Sequence, residues 1–268
     1  MIIKTVFKLI FLLLIGTMAY SQQNNKQIES FSPITYWGVS FVPVLVQKGH
    51  IDGDLNKYSL SSSPQLGGEI LINYYYNFEP NYSLVFSAGG ELLVHSLNYE
   101  IPKSLFNPLG GTSISFNPVG PIKMSSSYLK VQAELQSTLH KKQKKNWFGA
   151  IGLSFLYPIQ RADEYDAGIL WGSNSQSVQQ YVLIQYQNYQ HKQKLLLNCH
   201  IAGGHEWALP TGNMLQVALK LNYSFVDIAT ATYVFTVDNE PQLNGPYSIS
   251  SSCIGLSVSY IFSKPKRL

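Results

Sequence analysis

Along Tyr128–His140 (YLKVQAELQSTLH) apolar residues take almost every second place: Leu129, Val131, Ala133, Leu135 and Leu139. Lys130, Gln132, Glu134, Gln136 and Thr138 fill the places between. Stepped at 100° per residue, as on a helix, the apolar set scatters round the axis; stepped at 180° it falls on one side, so the segment is a strand. The alternation recurs along the chain. Thr35–Val46 sets Trp37, Val39, Phe41 and Leu45 against Tyr36, Gly38 and Ser40, and Leu66–Phe78 sets Ile70, Ile72, Tyr74, Tyr76 and Phe78 against Glu69, Asn73 and Asn77. Tyr82–Leu97, Trp147–Tyr157, Leu195–Trp207, Leu215–Phe225 and Ser248–Phe262 repeat it, which makes eight strands.

Connections between them alternate in length. Glu79-Pro80-Asn81, Lys141–Lys145 and Pro210-Thr211-Gly212-Asn213 are short, whereas Gln47–Gln65, Asn98–Ser127, Pro158–Lys194 and Val226–Tyr247 are long and rich in Ser, Asn, Gly and Pro. Short turns at one end and long loops at the other are the pattern of a transmembrane β-barrel. The third long loop contains Tyr181–Tyr189 (YVLIQYQNY), itself strand-like and read as an extension above the membrane. Were it to span, Ala229–Val237 would have to span as well, giving ten strands instead of eight.

A water-soluble barrel shares the alternation, so the residues on the polar face decide. They are small: Gly38, Ser40, Ser83, Ser87, Gly89, Gly152, Ser154, Gly255, Ser257 and Ser259. A water-facing surface carries Lys, Glu and Thr, whereas the inside of an eight-stranded barrel is barely wide enough for side chains. The aromatics agree. Trp37, Tyr76, Phe78, Trp147, Trp207, Tyr260 and Phe262 gather at the short-turn end, and Tyr157, Phe225 and Tyr247 near the other rim, as interfacial girdles do. The sequence therefore predicts an all-β fold: one closed antiparallel transmembrane β-barrel of eight strands over residues 35–262, with short periplasmic turns and long extracellular loops.

The ends add an address. Residues 1–21 carry Lys4 and Lys8, an apolar run to Ile15 and a small-x-small site at Ala19-Tyr20-Ser21, the marks of a secretory signal peptide. That apolar run is too short for a spanning helix, which needs about 20 residues. No cysteine follows the cleavage site to carry a lipid anchor. Residues 22–34 then form a periplasmic N-terminal segment and residues 263–268 a periplasmic tail, and the expected address is the outer membrane of a Gram-negative cell. Without Lys4 and Lys8 the 19 basic residues fall to 17 against 15 acidic ones, too small a balance to imply nucleic acid. Cys199 and Cys253 are the only cysteines, on opposite faces of non-adjacent strands, and no disulfide is expected.

With eight strands, a leader, four long loops and an aromatic terminal strand (SVSYIF, Ser257–Phe262), the chain resembles the OmpA/OmpX-like small outer-membrane barrels of porin-family architecture. The resemblance is one of class and carries no diagnostic motif. Ser263–Leu268 extends past the final aromatic, where the chain of such barrels ends.

Candidate chemistry lies on the inward face, where Glu69, Glu91, Lys130, Glu134, Glu206 and Lys220 collect. Sealed in a narrow lumen, lone charges are costly, so these residues should pair into a plug; the functional counterpart is a gated path for a small solute. Four Glu against two Lys imply one carboxyl that is protonated or water-bridged. A lipid A acyl hydrolase would need a nucleophile and base, for which His95-Ser96 beside Glu91 offers the residue types; on a strand, however, adjacent residues point to opposite faces. Asn198-Cys199-His200 has the same fault, with His200 a satisfied interior residue. The histidines show no metal spacing, and Gly67-Gly68 and Gly110-Gly111 lack the strand–loop–helix context of a phosphate cradle. No cofactor is expected. The basic turn His140–Lys145 (HKKQKK) and Lys264-Pro265-Lys266-Arg267 fall on the periplasmic side, where they could meet anionic headgroups or cell-wall polymers; such runs are more often solvated turns. Partners are then outer-membrane lipid and lipopolysaccharide, with other envelope proteins meeting the extracellular loops, where Phe106, Phe116 and Trp171 lie. The role expected is non-catalytic: structure, surface binding or assembly.

Overall fold

The structure is a computed structural model that describes residues 33–52, 61–100, 119–142, 145–159, 167–172, 181–191, 195–237 and 243–262. The expected leader, all of the 22–34 segment but Pro33 and Ile34, the 263–268 tail, Phe106, Phe116 and Gly110-Gly111 lie outside the described residues. Among the described residues thirteen strands follow in chain order: β1 Ile34–Val46, β2 His50–Ile51, β3 Gln65–Glu79, β4 Tyr82–Glu100, β5 Val119–Lys142, β6 Lys145–Pro158, β7 Ala167–Gly172, β8 Tyr181–His191, β9 Leu196–Ala208, β10 Met214–Ser224, β11 Asp227–Val237, β12 Leu243–Ser250 and β13 Cys253–Phe262.

Eight of them close into a barrel in the order β1-β13-β10-β9-β6-β5-β4-β3, with β3 returning to β1. Every neighbouring pair in it is antiparallel. These are the eight segments that the alternation marks. Closure leaves no sheet edge in the wall, so its backbone groups find partners without water. One seam is imperfect: the β1–β13 register runs from Trp37↔Phe262 to Phe41↔Val258 and resumes at Val44↔Gly255, missing Val42 and Pro43, where proline has no N–H to give.

The wall is inside out for a soluble protein. On β10, Leu219 is 52% exposed, Lys220 4% and Leu221 41%. Trp37, Phe41, Ile70, Phe86, Val131, Leu153, Phe155 and Leu256 are likewise exposed around the circumference. Soluble monomers rarely show a continuous apolar patch beyond a few hundred Å². From Leu215, beside Trp207 and Tyr260 in the register, to Phe225 the chain advances ten residues. At about 3.3 Å per residue and a tilt of about 40° that is about 25 Å, the height of an outer-membrane barrel's apolar band.

Above the barrel the long connections fold into a second sheet, β2-β12-β11-β8-β7. Tyr181–Tyr189 is, as the sequence predicts, a strand outside the barrel wall: as β8 it pairs with Ala229–Val237 in β11, so the eight-stranded reading holds over the ten-stranded one. Two other expectations are corrected. Ser248–Phe262 is not one strand: β12 ends at Ser250, Ser251 and Ser252 break the run, and β13 starts at Cys253. Tyr247 is not at the lipid rim; it is buried in β12, its hydroxyl 3.3 Å from the Ser96 carbonyl.

The lumen as candidate functional site

Because successive side chains alternate across the wall, the inward residues form a column that can be followed from the short turns upward. The floor is apolar: Tyr75, Val85 and Ile261 pack together, with Tyr36 and Met214 against them. Beside it Glu206 accepts hydrogen bonds from Asn146 Nδ2 (3.1 Å) and Gln216 Nε2 (2.7 Å), and the Tyr75 hydroxyl donates to Gln216 Oε1 (3.3 Å). Next comes a cavity of about 30 Å³, whose polar lining includes Ser40, Asn73, Gln132, Glu134, Lys220 and Ser259. That is room for about two waters. Ser40 and Ser259 share a hydrogen bond of 2.7 Å, and Asn73 Nδ2 donates to Ser40.

The charged layer follows. Lys130 Nζ lies 2.7 Å from Glu69 Oε1 and 2.8 Å from Glu91 Oε2; Lys220 Nζ lies 2.9 Å from both Glu69 Oε2 and Gln132 Oε1. Asn222 Nδ2 donates to Glu69 Oε1 (3.0 Å) and to Cys253 Sγ (3.2 Å). Two carboxylates thus face two ammonium groups, all buried, and their formal charges cancel. The division is uneven: Glu69 receives three donors, whereas Glu91 Oε1 has no hydrogen-bond partner among the described residues. Glu69, Glu91 and Cys253 each bring one donor atom within 4.8 Å of the others. The two lysines already occupy those carboxylates, so the set does not suit a divalent cation.

Above this layer apolar residues predominate, with His95 and the hydrogen-bonded Asn198–Ser251 pair buried among them. Val44, Val46, Leu93, Tyr128, Leu156 and Leu196 are fully buried. Tyr247, Ile249, Ile228 and Ile51 of the second sheet and its junctions are buried beyond them. Ser62 and Ser63 tie the first long loop to Ser96 on β4, through its carbonyl at 2.7 Å and its hydroxyl at 2.9 Å. Among the described residues the bore is thus filled by an apolar floor, a salt-bridged middle and a mixed, largely apolar roof.

Of the six candidate charges, Glu69, Glu91, Lys130 and Lys220 meet in one network. Glu134 stands apart with His200 Nε2 at 3.0 Å, and Glu206 with the two amides. Asn222, Gln132 and Cys253 were not among the candidates, although Asn222 shares the inward parity of Lys220 two residues before it. His95 is buried with neither ring nitrogen hydrogen-bonded among the described residues, and Ser96 Oγ contacts Ser63 and Gln65 Nε2 (3.1 Å) instead. A Ser–His pair is not formed there. Both cysteines are buried and free.

At the short-turn end, Trp37 packs on Tyr74 (ring centroids 5.0 Å apart), Phe78 on Tyr82 (6.3 Å) and Tyr260 on Phe262 (5.2 Å). Trp147, His205 and Trp207 form a run of rings at 3.6 and 5.3 Å. Tyr76 lies opposite Thr35 at the same level. These seven candidate aromatics share one end of the barrel.

No family model matches the sequence, and no curated protein does. Among solved structures the chain is similar to the outer membrane protein OprG from Pseudomonas aeruginosa, at 10% identity and TM-score 0.43, over 86% of this chain and 96% of that one. It is similar to the outer membrane protein AlkL in DMPC bilayers (14%, TM-score 0.38, 91% and 98%). A major outer membrane protein from Thermus thermophilus is a third such likeness (11%, TM-score 0.39, 85% and 100%). Identities this low convey nothing about a shared ligand or role.

Proposed function

We propose that this chain is an integral outer-membrane protein of a Gram-negative envelope whose barrel is a sealed anchor and whose second sheet is the working surface, for binding or assembly with other envelope components. One observation carries the reading: an apolar outer wall encloses a bore that, among the described residues, is filled by packed and ion-paired side chains around a cavity of about 30 Å³. Residues 1–21, read as a leader, agree with export. A binding role suits the upper part, where connections that could have stayed irregular are ordered into five strands.

The test is electrical and biochemical. Purified full-length protein in planar bilayers passes no single-channel current, and extracts of native membranes in mild detergent yield partners that are lost when the β7–β8 hairpin is shortened. A small-solute channel is the second reading, favoured by Glu134 and Lys220 both lining the cavity. It requires a current that changes with Glu134→Gln or Lys220→Met. A lipid A hydrolase requires loss of acyl-chain removal on Ser96→Ala; on the sealed-anchor reading that variant leaves lipid A unchanged.

A further inference from the structure

The charged layer balances, but the middle of the bore as a whole does not. Glu69 and Glu91 face Lys130 and Lys220, and no charge is left over. Glu134 adds a third carboxylate inside the wall. Its only hydrogen-bond or ion-pair partner among the described residues is His200, whose Nε2 lies 3.0 Å from Oε2. The sequence is shaped for this contact. Glu134, Gly152 and His200 stand in one row across β5, β6 and β9. A Cβ on Gly152 would lie 2.6 Å from His200 Nε2 and 2.5 Å from the Ala133 carbonyl, so glycine is what lets the imidazole cross β6 to the carboxylate.

That imidazole does not supply the missing positive charge. A carboxylate only accepts, so Nε2 carries the hydrogen that faces Glu134. His200 Nδ1 is buried with no hydrogen-bond partner among the described residues. A second hydrogen there would make a cationic donor sealed away without an acceptor, which costs more than an idle lone pair. The geometry fits the neutral ring. Glu134 also lines the cavity of about 30 Å³, together with Ser40, Ser87, Ser257 and Ser259. Lys220 reaches the same cavity, but its ammonium is already held by Glu69 Oε2 and Gln132 Oε1, at 2.9 Å each. A carboxylate with no cation of its own thus borders a small void walled by hydroxyl groups.

We infer that this cavity is a binding site for one monovalent cation of sodium's size, with the Glu134 carboxylate and the serine hydroxyls as its ligand set. Hard cations take oxygen ligands, and a buried carboxylate is costly until it is paired. One positive charge brings the middle of the bore to neutrality, whereas a divalent ion would leave a charge over. Space for about two waters admits a small bare ion with one water, not an ion with its full hydration shell. Packed side chains close off the cavity above and below among the described residues. The ion therefore enters as the barrel folds, and it exchanges slowly afterwards.

This inference rests on the sealed-bore reading, and the two fail differently. Full-length protein is folded in detergent micelles with sodium chloride or with N-methyl-D-glucamine chloride at the same ionic strength, and unfolded in urea. The folded-to-unfolded ratio of the native chain is expected to be about tenfold higher with sodium, as for a site at about ten times its dissociation constant. Glu134→Gln should show no difference between the salts, and Glu206→Gln, whose carboxylate answers two amides outside the cavity, should keep the native difference. Heat-dependent gel mobility shows that the variants fold; if Glu134→Gln does not, the native chain's comparison of the two salts still decides. Equal ratios in the two salts overturn the inference, and so does a sodium effect that survives Glu134→Gln. A carboxylic-acid band in the infrared spectrum that Glu134→Gln removes also overturns it, in favour of a protonated carboxyl. Single-channel current through the native chain overturns the sealed bore, and the inference with it; the other failures leave the seal standing.

Discussion

Glu69 and Glu206 have the same side chain on the same inner wall, yet their surroundings set different costs for losing it. Glu69 is fully buried and answers two ammonium groups and one amide. Replacing it by Gln leaves Lys220 with a carbonyl and Lys130 with Glu91 alone, and an uncompensated buried charge costs about 3–5 kcal/mol. Glu206→Gln keeps one acceptor for the two amide donors, so one charge-assisted bond becomes neutral and the other is lost unless the Asn146 amide flips, a loss of about 1–2 kcal/mol with no buried charge left unpaired. Urea unfolding in detergent micelles, followed by tryptophan fluorescence, should show the first midpoint far below the second; equal midpoints would mean that the charged layer does not hold the barrel shut. Parity alone identifies Glu69 as inward. Its partners were not legible, because Lys220 lies 151 residues away and Lys130 61, and only the closed register brings them together. Gly89 shows the same limit. The small inner residue is visible in the sequence, but its cause, the Ile70 carbonyl occupying the place of a Cβ, belongs to the neighbouring strand.

Elements were easier to read than their endings. All eight spanning strands follow from a period of two, since lipid outside and a tight bore inside reward the same alternation throughout. The break at Ser251-Ser252 is hidden by that very regularity: inward parity continues unbroken from Tyr247 through Ile249, Ser251, Cys253 and Gly255. For the same reason β8 and β11 read as strands without declaring which sheet they join. What makes the break is hydrogen bonding. Ser252 Oγ accepts from the Ser224 N–H (3.0 Å), its carbonyl accepts from the Gln47 N–H (2.9 Å), and Ser251 exchanges bonds with Asn198 at 2.9 and 3.1 Å. Ser252→Ala leaves the buried Ser224 N–H without its acceptor, at about 1–3 kcal/mol. The damage should stay in the junction. Chymotrypsin added to vesicle-embedded protein is expected to cut between Asp227 and Ser250 faster than in the native chain, while the barrel keeps its heat-dependent gel mobility. Faster cutting in β1 or β13 as well would make the junction part of the barrel's own stability.

At the scale of the molecule, one inversion organises everything else: apolar groups face out, and polar groups are packed where a soluble protein keeps its oil. The mismatch between that wall and water is large, and a bilayer removes it, so the energetic cost of a charge on the wall must depend on depth. Leu219 stands midway between the Leu215 level of the lower collar and Phe225 at the upper rim. Leu219→Arg is expected to cost about 2–4 kcal/mol of folding free energy in phosphatidylcholine vesicles, whereas Leu139→Arg, near the end of β5 at the level of the collar residue Trp147, should cost about 0–1 kcal/mol. Both leucines are more than half exposed, so in a water-soluble barrel either change would fall within about 0.5 kcal/mol of neutral. The difference between the two variants, rather than either value, separates the two surroundings. A depth-dependent penalty means that hydrocarbon surrounds the wall at Leu219, and two near-neutral arginines would mean that water does.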